Sequence, residues 1–96
     1  MKGRKKRTKY EIVHDILEVV GPGVKFLHIM YKANLSSEVA KKYIEKLKEK
    51  ELIVQKDNLY FLTEKGIRLL DILKQYKQKK EELNNLLQDI VELYGE

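Results

Sequence analysis

The 96-residue chain has no cysteine and no tryptophan, one proline and two histidines. Without thiols there can be no disulfide, no cysteine nucleophile and no thiolate metal site. The two histidines, His14 and His28, leave little for general-base or zinc chemistry. A lone histidine in a helix is most often an ordinary core or surface residue. No run of about 18 apolar residues occurs, so no membrane-spanning helix is expected. The apolar stretch at residues 12–20 is broken by His14, Asp15 and Glu18, which argues against a signal peptide. No phosphate-binding glycine loop is present and no nucleophile stands beside a base. The carboxylates read as solvated helix charges rather than a catalytic pair. The expectation is a binding protein, not an enzyme, with no cofactor, no metal and no small-molecule substrate.

What is present is charge, and its placement is informative. Twenty basic and 15 acidic residues give a net charge of +5. Lys2, Arg4, Lys5, Lys6, Arg7 and Lys9 all fall within the first nine residues, where there is no acid. Without those six the chain holds 14 basic and 15 acidic residues, a net of −1. Residues 1–9 therefore carry the whole basic excess. The run repels itself and has no apolar anchor, so it is expected to be a disordered arm. It reads either as a solubilising tail or address signal, or as an arm that binds polyphosphate.

The rest divides into elements. Ile12, Val13, Ile16, Leu17, Val19 and Val20 recur at helical spacing. Thr8 is placed to cap that helix and Gly21-Pro22-Gly23 to end it. Phe26, Ile29, Met30 and Ala33 give a short second helix over residues 25–33. Asn34 tolerates the positive φ of a tight turn, and Ser36 caps a third helix over residues 37–50. Val39, Ala40, Tyr43, Ile44 and Leu47 form its inner face. Two short helices joined by a tight turn describe a helix-turn-helix. Two β-rich runs around Asp57-Asn58 then read as a hairpin, the wing. Thr63 caps a last helix reaching about residue 94. The six tyrosines mostly fit buried or half-buried positions. The fold expected is mainly α: a basic arm (1–9), a winged helix-turn-helix domain (10–62) and a C-terminal dimerisation helix (63–96).

Residues 63–94 would make a rod about 48 Å long, more than a domain of some fifty residues covers. Along it Leu69, Leu73, Tyr76, Lys80, Leu83, Leu87, Ile90 and Tyr94 are spaced 4-3-4-3-4-3-4, a heptad seam with one polar position. Packing on the chain's own domain accounts for residues 67–73, but not for residues 83–94. The seam points to a homodimer. A parallel pair would set Lys80 against Lys80. An antiparallel pair centred between Glu81 and Glu82 avoids this and stacks Leu69 on Tyr94, Leu73 on Ile90 and Tyr76 on Leu87.

The third helix is expected to enter the major groove by its N-terminal half. Ser36 and Ser37 stand at its start, Lys41, Lys42 and Lys46 flank its exposed face, and Lys56 is at the wing tip. Lys25 and Lys32 on the second helix are further candidates for backbone contact. Glu38, Glu45 and Glu49 lie nearest the centre of that face. No arginine, asparagine or glutamine is there to make a bidentate base contact. This favours binding to the phosphate backbone, with the arm contributing much of the affinity.

Three stretches, KRTKYEIVHDIL, HIMYKANLSSEVAKKYIEKLKEKELI and LYFLTEKGIRLLDIL, resemble the small archaeal winged-helix DNA-binding proteins called the ten-a (10a-type) family of Sulfolobus. The likeness covers nearly the whole chain. It implies a winged helix with an antiparallel coiled-coil dimer, and largely sequence-tolerant binding of double-stranded DNA as a chromatin or nucleoid protein. The expected location is cytoplasmic and nucleoid-associated. Two alternatives remain open: a transcription regulator with a defined operator, and a protein-interaction module. One departure from the general winged-helix pattern is Glu51, where a glycine often ends the recognition helix.

Overall fold

The computed structural model describes residues 7–95. The expected disorder of the arm, and its Lys2, Arg4, Lys5 and Lys6, lie outside those residues. The elements run α1 (Lys9–Val20), α2 (Phe26–Lys32), α3 (Ser37–Glu49), β1 (Ile53–Lys56), β2 (Leu59–Leu62) and α4 (Glu64–Tyr94). This is the winged helix-turn-helix order, mainly helical, followed by a long terminal helix.

The starts of α1, α3 and α4 are capped by the residues that the sequence offers. The Glu11 backbone N–H donates to Thr8 Oγ1 at 3.1 Å, and the Thr8 N–H donates to Glu11 Oε1 at 2.8 Å. This reciprocal pair satisfies two N–H groups that the helix itself leaves unpaired. Ser36 Oγ accepts from Val39 N at 3.2 Å, and Thr63 Oγ1 accepts from Gly66 N at 3.0 Å.

The ends of α2 and α3 are built alike. Asn34 N donates to Tyr31 O and Leu35 N to Met30 O, with Asn34 at φ 56°. Glu51 N donates to Lys48 O and Leu52 N to Leu47 O, with Glu51 at φ 60°. Both are Schellman closures, in which one left-handed residue lets two backbone N–H groups turn back onto the last carbonyls. Glu51 takes the conformation that glycine would supply, and burial of Leu52 behind it holds the turn.

The wing is an antiparallel pair with Ile53 opposite Leu62 and Lys56 opposite Leu59. Val24 adds a single bridge to it, donating to Tyr60 O at 3.1 Å and accepting from Tyr60 N at 2.8 Å. This third strand fragment ties the α1–α2 loop to the sheet. A Cβ on neighbouring Gly23 would fall into the Phe61 ring.

Ile16, Leu17, Val20, Ile29, Ile44, Leu47, Leu52 and Ile53 are buried together between the three domain helices and the wing. Leu73 of α4 joins that core, and Leu69 and Leu70 pack on it half-buried. Gly66 lets α4 start hard against the domain, since a Cβ there would land on the Leu52 carbonyl. Helix α1 runs antiparallel to α4: Lys74 Nζ lies 3.7 Å from Glu18 and Lys80 Nζ lies 3.4 Å from Glu11. Own-domain packing thus reaches Lys80, further than the 73 expected from sequence. From 81 to 95 every residue is exposed.

Candidate nucleic-acid interface

The turn between α2 and α3 is held from outside the motif by Arg7. Its Nη1 donates to Asp15 Oδ2 and to Ala33 O, both at 2.7 Å, and its Nη2 donates to Asn34 O at 2.8 Å. Arg7 thereby joins the start of the chain to α1 and to the carbonyls at the end of α2. Sequence reasoning grouped Arg7 with the free arm. A local signal did exist, because the end of a helix presents carbonyls that attract a cation. What the sequence lacked was any hint of which of six cations would serve.

Asp15 sits at the centre of this link. Burial would raise its carboxyl, but hydrogen bonds with His14 and Arg7, and the Arg7 charge, outweigh that and lower it below the usual aspartate value. His14 is buried, with Nδ1 3.0 Å from Asp15 Oδ1 and Nε2 3.1 Å from Glu18 Oε1. His28 is exposed on α2.

On α3, Ala40, Ile44 and Leu47 are buried, Tyr43 is half-buried and Val39 is at the border of exposure. The opposite face holds Glu38, Glu45 and Glu49, all exposed. Among the described residues the ion pair on this helix is Glu45–Lys48 at 3.9 Å. Ser36, Ser37 and Lys41 are exposed at and near the helix start. Lys42 and Lys46 fall on another flank, where they line a cavity. At the far end Lys48 Nζ donates to Gln55 Oε1 at 3.0 Å, and Gln55 Nε2 donates to Asp57 O at 3.0 Å. This chain of contacts fixes the wing tip, with exposed Lys56, relative to α3. Lys25 and Lys32 are exposed on the α2 side.

The cavity lies between α1, α3 and α4 and measures about 430 Å³. Val13, Leu47, Leu69 and Leu73 line it together with Lys9, Lys42, Lys46 and Lys50. Nothing in the order of residues announces it, because it exists only where three helices meet. The tyrosines also correct the expectation: Tyr10, Tyr31, Tyr76 and Tyr94 are exposed, and Tyr43 and Tyr60 are half-buried. Spacing placed them on stripe edges, and an edge position does not say which side of it the ring takes.

A helix-turn-helix backed by a two-stranded wing defines a class of fold, and comparison with known proteins agrees. Residues 6–81 match the family described as winged helix-turn-helix, and the chain belongs to that family. Sso10a-2, described as a DNA-binding protein from Sulfolobus solfataricus, is similar over 91 % of this chain and 96 % of its own, with a TM-score of 0.83 and 27 % identity. The resemblance to the ten-a proteins thus extends over both domain and rod. ZitR of Lactococcus lactis shares the fold, with a TM-score of 0.64 and 24 % identity over 91 % of this chain and 64 % of its own. A Methanocaldococcus jannaschii protein, MJ0290, is 38 % identical over 71 residues, 73 % of this chain. The chain spans about a third of that relative's length, 34 %. Among the described residues no helix is long and apolar enough to cross a membrane.

Proposed function

We propose that this chain is a dimeric winged-helix protein that binds double-stranded DNA through its backbone, with little sequence preference, and organises chromatin. The observation that carries this reading is the Arg7 link. It roots the basic arm on the α2–α3 turn, beside the N-terminus of α3. Arm and recognition helix then address one duplex. Lys2, Arg4, Lys5 and Lys6 supply further positive charge, as minor-groove arms do. Ser36, Ser37 and the first N–H groups of α3 receive a phosphate. Lys41 and Lys56 add backbone contacts, while Lys9, Lys42 and Lys46 line the cavity between α1, α3 and α4 instead. The glutamates at the centre of α3, and the lack of arginine, asparagine and glutamine there, disfavour base readout. The likeness to Sso10a-2, itself described as DNA-binding, supports DNA as the partner.

The dimer forms through α4. The outer half of its seam, Leu83, Leu87, Ile90 and Tyr94, is exposed along a continuous helix, and antiparallel pairing covers it without opposing Lys80 to itself.

Salt titrations of duplex binding test the proposal. Deleting residues 2–6 removes four cations and should flatten the slope of log K against log salt by up to about 3.6, at about 0.9 per phosphate. An unchanged slope would make the arm a passive tail. Competition against selected duplexes separates an architectural protein from a regulator. A specificity ratio above about 10³ would favour the regulator. The acidic centre of α3 gives the protein-interaction reading its one support. Loss of DNA binding on reversing Lys41 and Lys56, which lie outside the cavity, to glutamate would remove it.

A further inference from the structure

The cavity between α1, α3 and α4 has a mixed character. Its lining joins an apolar floor to four exposed lysines and contains no acidic residue. An occupant that fits is apolar and negatively charged at once. The far end of α4 has that chemistry. Leu93 and Tyr94 are 90 % and 75 % exposed, the highest of any large apolar side chains on the rod. Asp89 and Glu92 accompany them, and the last turn holds no basic residue. The negative pole of a 31-residue helix is therefore left without a cation of its own. Within one chain the two cannot meet, since Tyr94 lies about 31 Å along the helix from Leu73, at about 1.5 Å per residue.

We infer that this cavity is the socket for the last turn of α4 from a second copy of the chain. Tyr94 and Leu93 enter the apolar part, and Glu92 meets the lysines. The inference rests on the dimer proposed above and adds what each rod end touches. Two independent observations converge on it. The antiparallel register follows from heptad spacing and from Lys80 alone, and it sets Tyr94 beside Leu69 and Ile90 beside Leu73. Leu69 and Leu73 are the two α4 residues that line the cavity. The charges are complementary as well. One consequence concerns α3, which with its C-cap Lys50 contributes Tyr43, Leu47 and three of the lysines to the lining. The helix proposed to face DNA is braced by the other subunit, so pairing and placement of α3 are a single event.

The chain has neither tryptophan nor cysteine, which makes both reporters specific. In full-length Tyr94→Trp, sedimentation across a dilution series reports association while the introduced indole reports its surroundings. The expected result is a dimer whose emission is blue-shifted and shielded from acrylamide, both lost as the dimer dissociates. Lys46→Glu with Lys50→Glu, at exposed positions that leave the fold intact, should weaken association about tenfold at low salt and less at high salt. Mixing chains that carry Tyr10→Cys with chains that carry Tyr94→Cys should give a cross-link between them. Tyr10 lies on α1, so a plain two-helix seam would not form that bond. A dimer with a water-exposed indole, or one that cross-links Leu69→Cys but not Tyr10→Cys to Tyr94→Cys, overturns the socket and leaves the dimer standing. A chain that stays monomeric at high micromolar concentration overturns both. A blue-shifted indole in the monomer overturns the socket as an intersubunit site.

Discussion

The two halves of α4 share one helix and one spacing but live in different surroundings. In residues 64–80, Gly66 and Leu73 are buried, Leu69 and Leu70 pack on the core, and Lys80 closes the run on Glu11. In residues 81–94 the stripe continues through Leu83, Leu87 and Ile90, which none of the described residues buries. The cause is length. Helix α1 has 12 residues, about 18 Å, and its N-terminal end lies opposite Lys80. Heptad spacing thus states that a stripe must be covered, but not by which chain. The first half packs on α1, and the second is exposed, the half that the proposed dimer would cover.

Substitution separates the halves. The largest effect is expected at Leu73, which is 7 % exposed. Leu73→Ala should cost about 2–5 kcal/mol of folding stability in a denaturant titration. A loss below about 1 kcal/mol would mean that the inner half is no part of the core. Gly66→Ala should follow, at about 1–3 kcal/mol, because the added methyl must displace the Leu52 carbonyl or α4 itself. Leu83→Lys with Leu87→Lys should move the stability of the monomeric chain by only about 0.5 kcal/mol or less. The same pair should raise the dissociation constant of the dimer at least about tenfold, or about 1.4 kcal/mol, by sedimentation. If it instead unfolds the monomer, the contrast between the halves fails.

Much of the inner half and of the domain was readable because local rules govern it. Thr8, Ser36 and Thr63 each cap where a short polar side chain precedes a periodic run. Asn34 turns where a left-handed residue was needed. Glu51 shows the limit of that reading. A glycine is the usual signal there, yet the helix closes in the same way because Leu52 is pulled into the core. The features that escaped are contacts between residues distant in sequence. The Val24–Tyr60 bridge is one residue wide and has no periodicity. The Arg7 link spans 26 and 27 positions to reach Ala33 and Asn34. The cavity draws on α1, α3 and α4 at once. For the candidate interface this means that the flanking cations were legible as types, while their division between the duplex side and the cavity side was not.

The smallest expected effect on folding, and the finest test of the boundary, is at Lys80. The Lys80–Glu11 pair at 3.4 Å is partly exposed, so Lys80→Leu should cost the domain no more than about 1 kcal/mol. Its consequence for pairing is different. An antiparallel rod sets Lys80 beside Leu83, and a parallel one sets it against its own copy. Leucine makes both layers apolar and removes the penalty that disfavours the parallel form. The variant should associate more tightly but with less preference for direction. In oxidised mixtures, cross-links between Leu69→Cys and Tyr94→Cys should lose share to those between two Leu73→Cys chains. If the Lys80→Leu rod stays wholly antiparallel, Lys80 does not set the direction. The bulk of a domain at the head of each rod, or a socket that accepts only the opposite end of α4, then takes over that role.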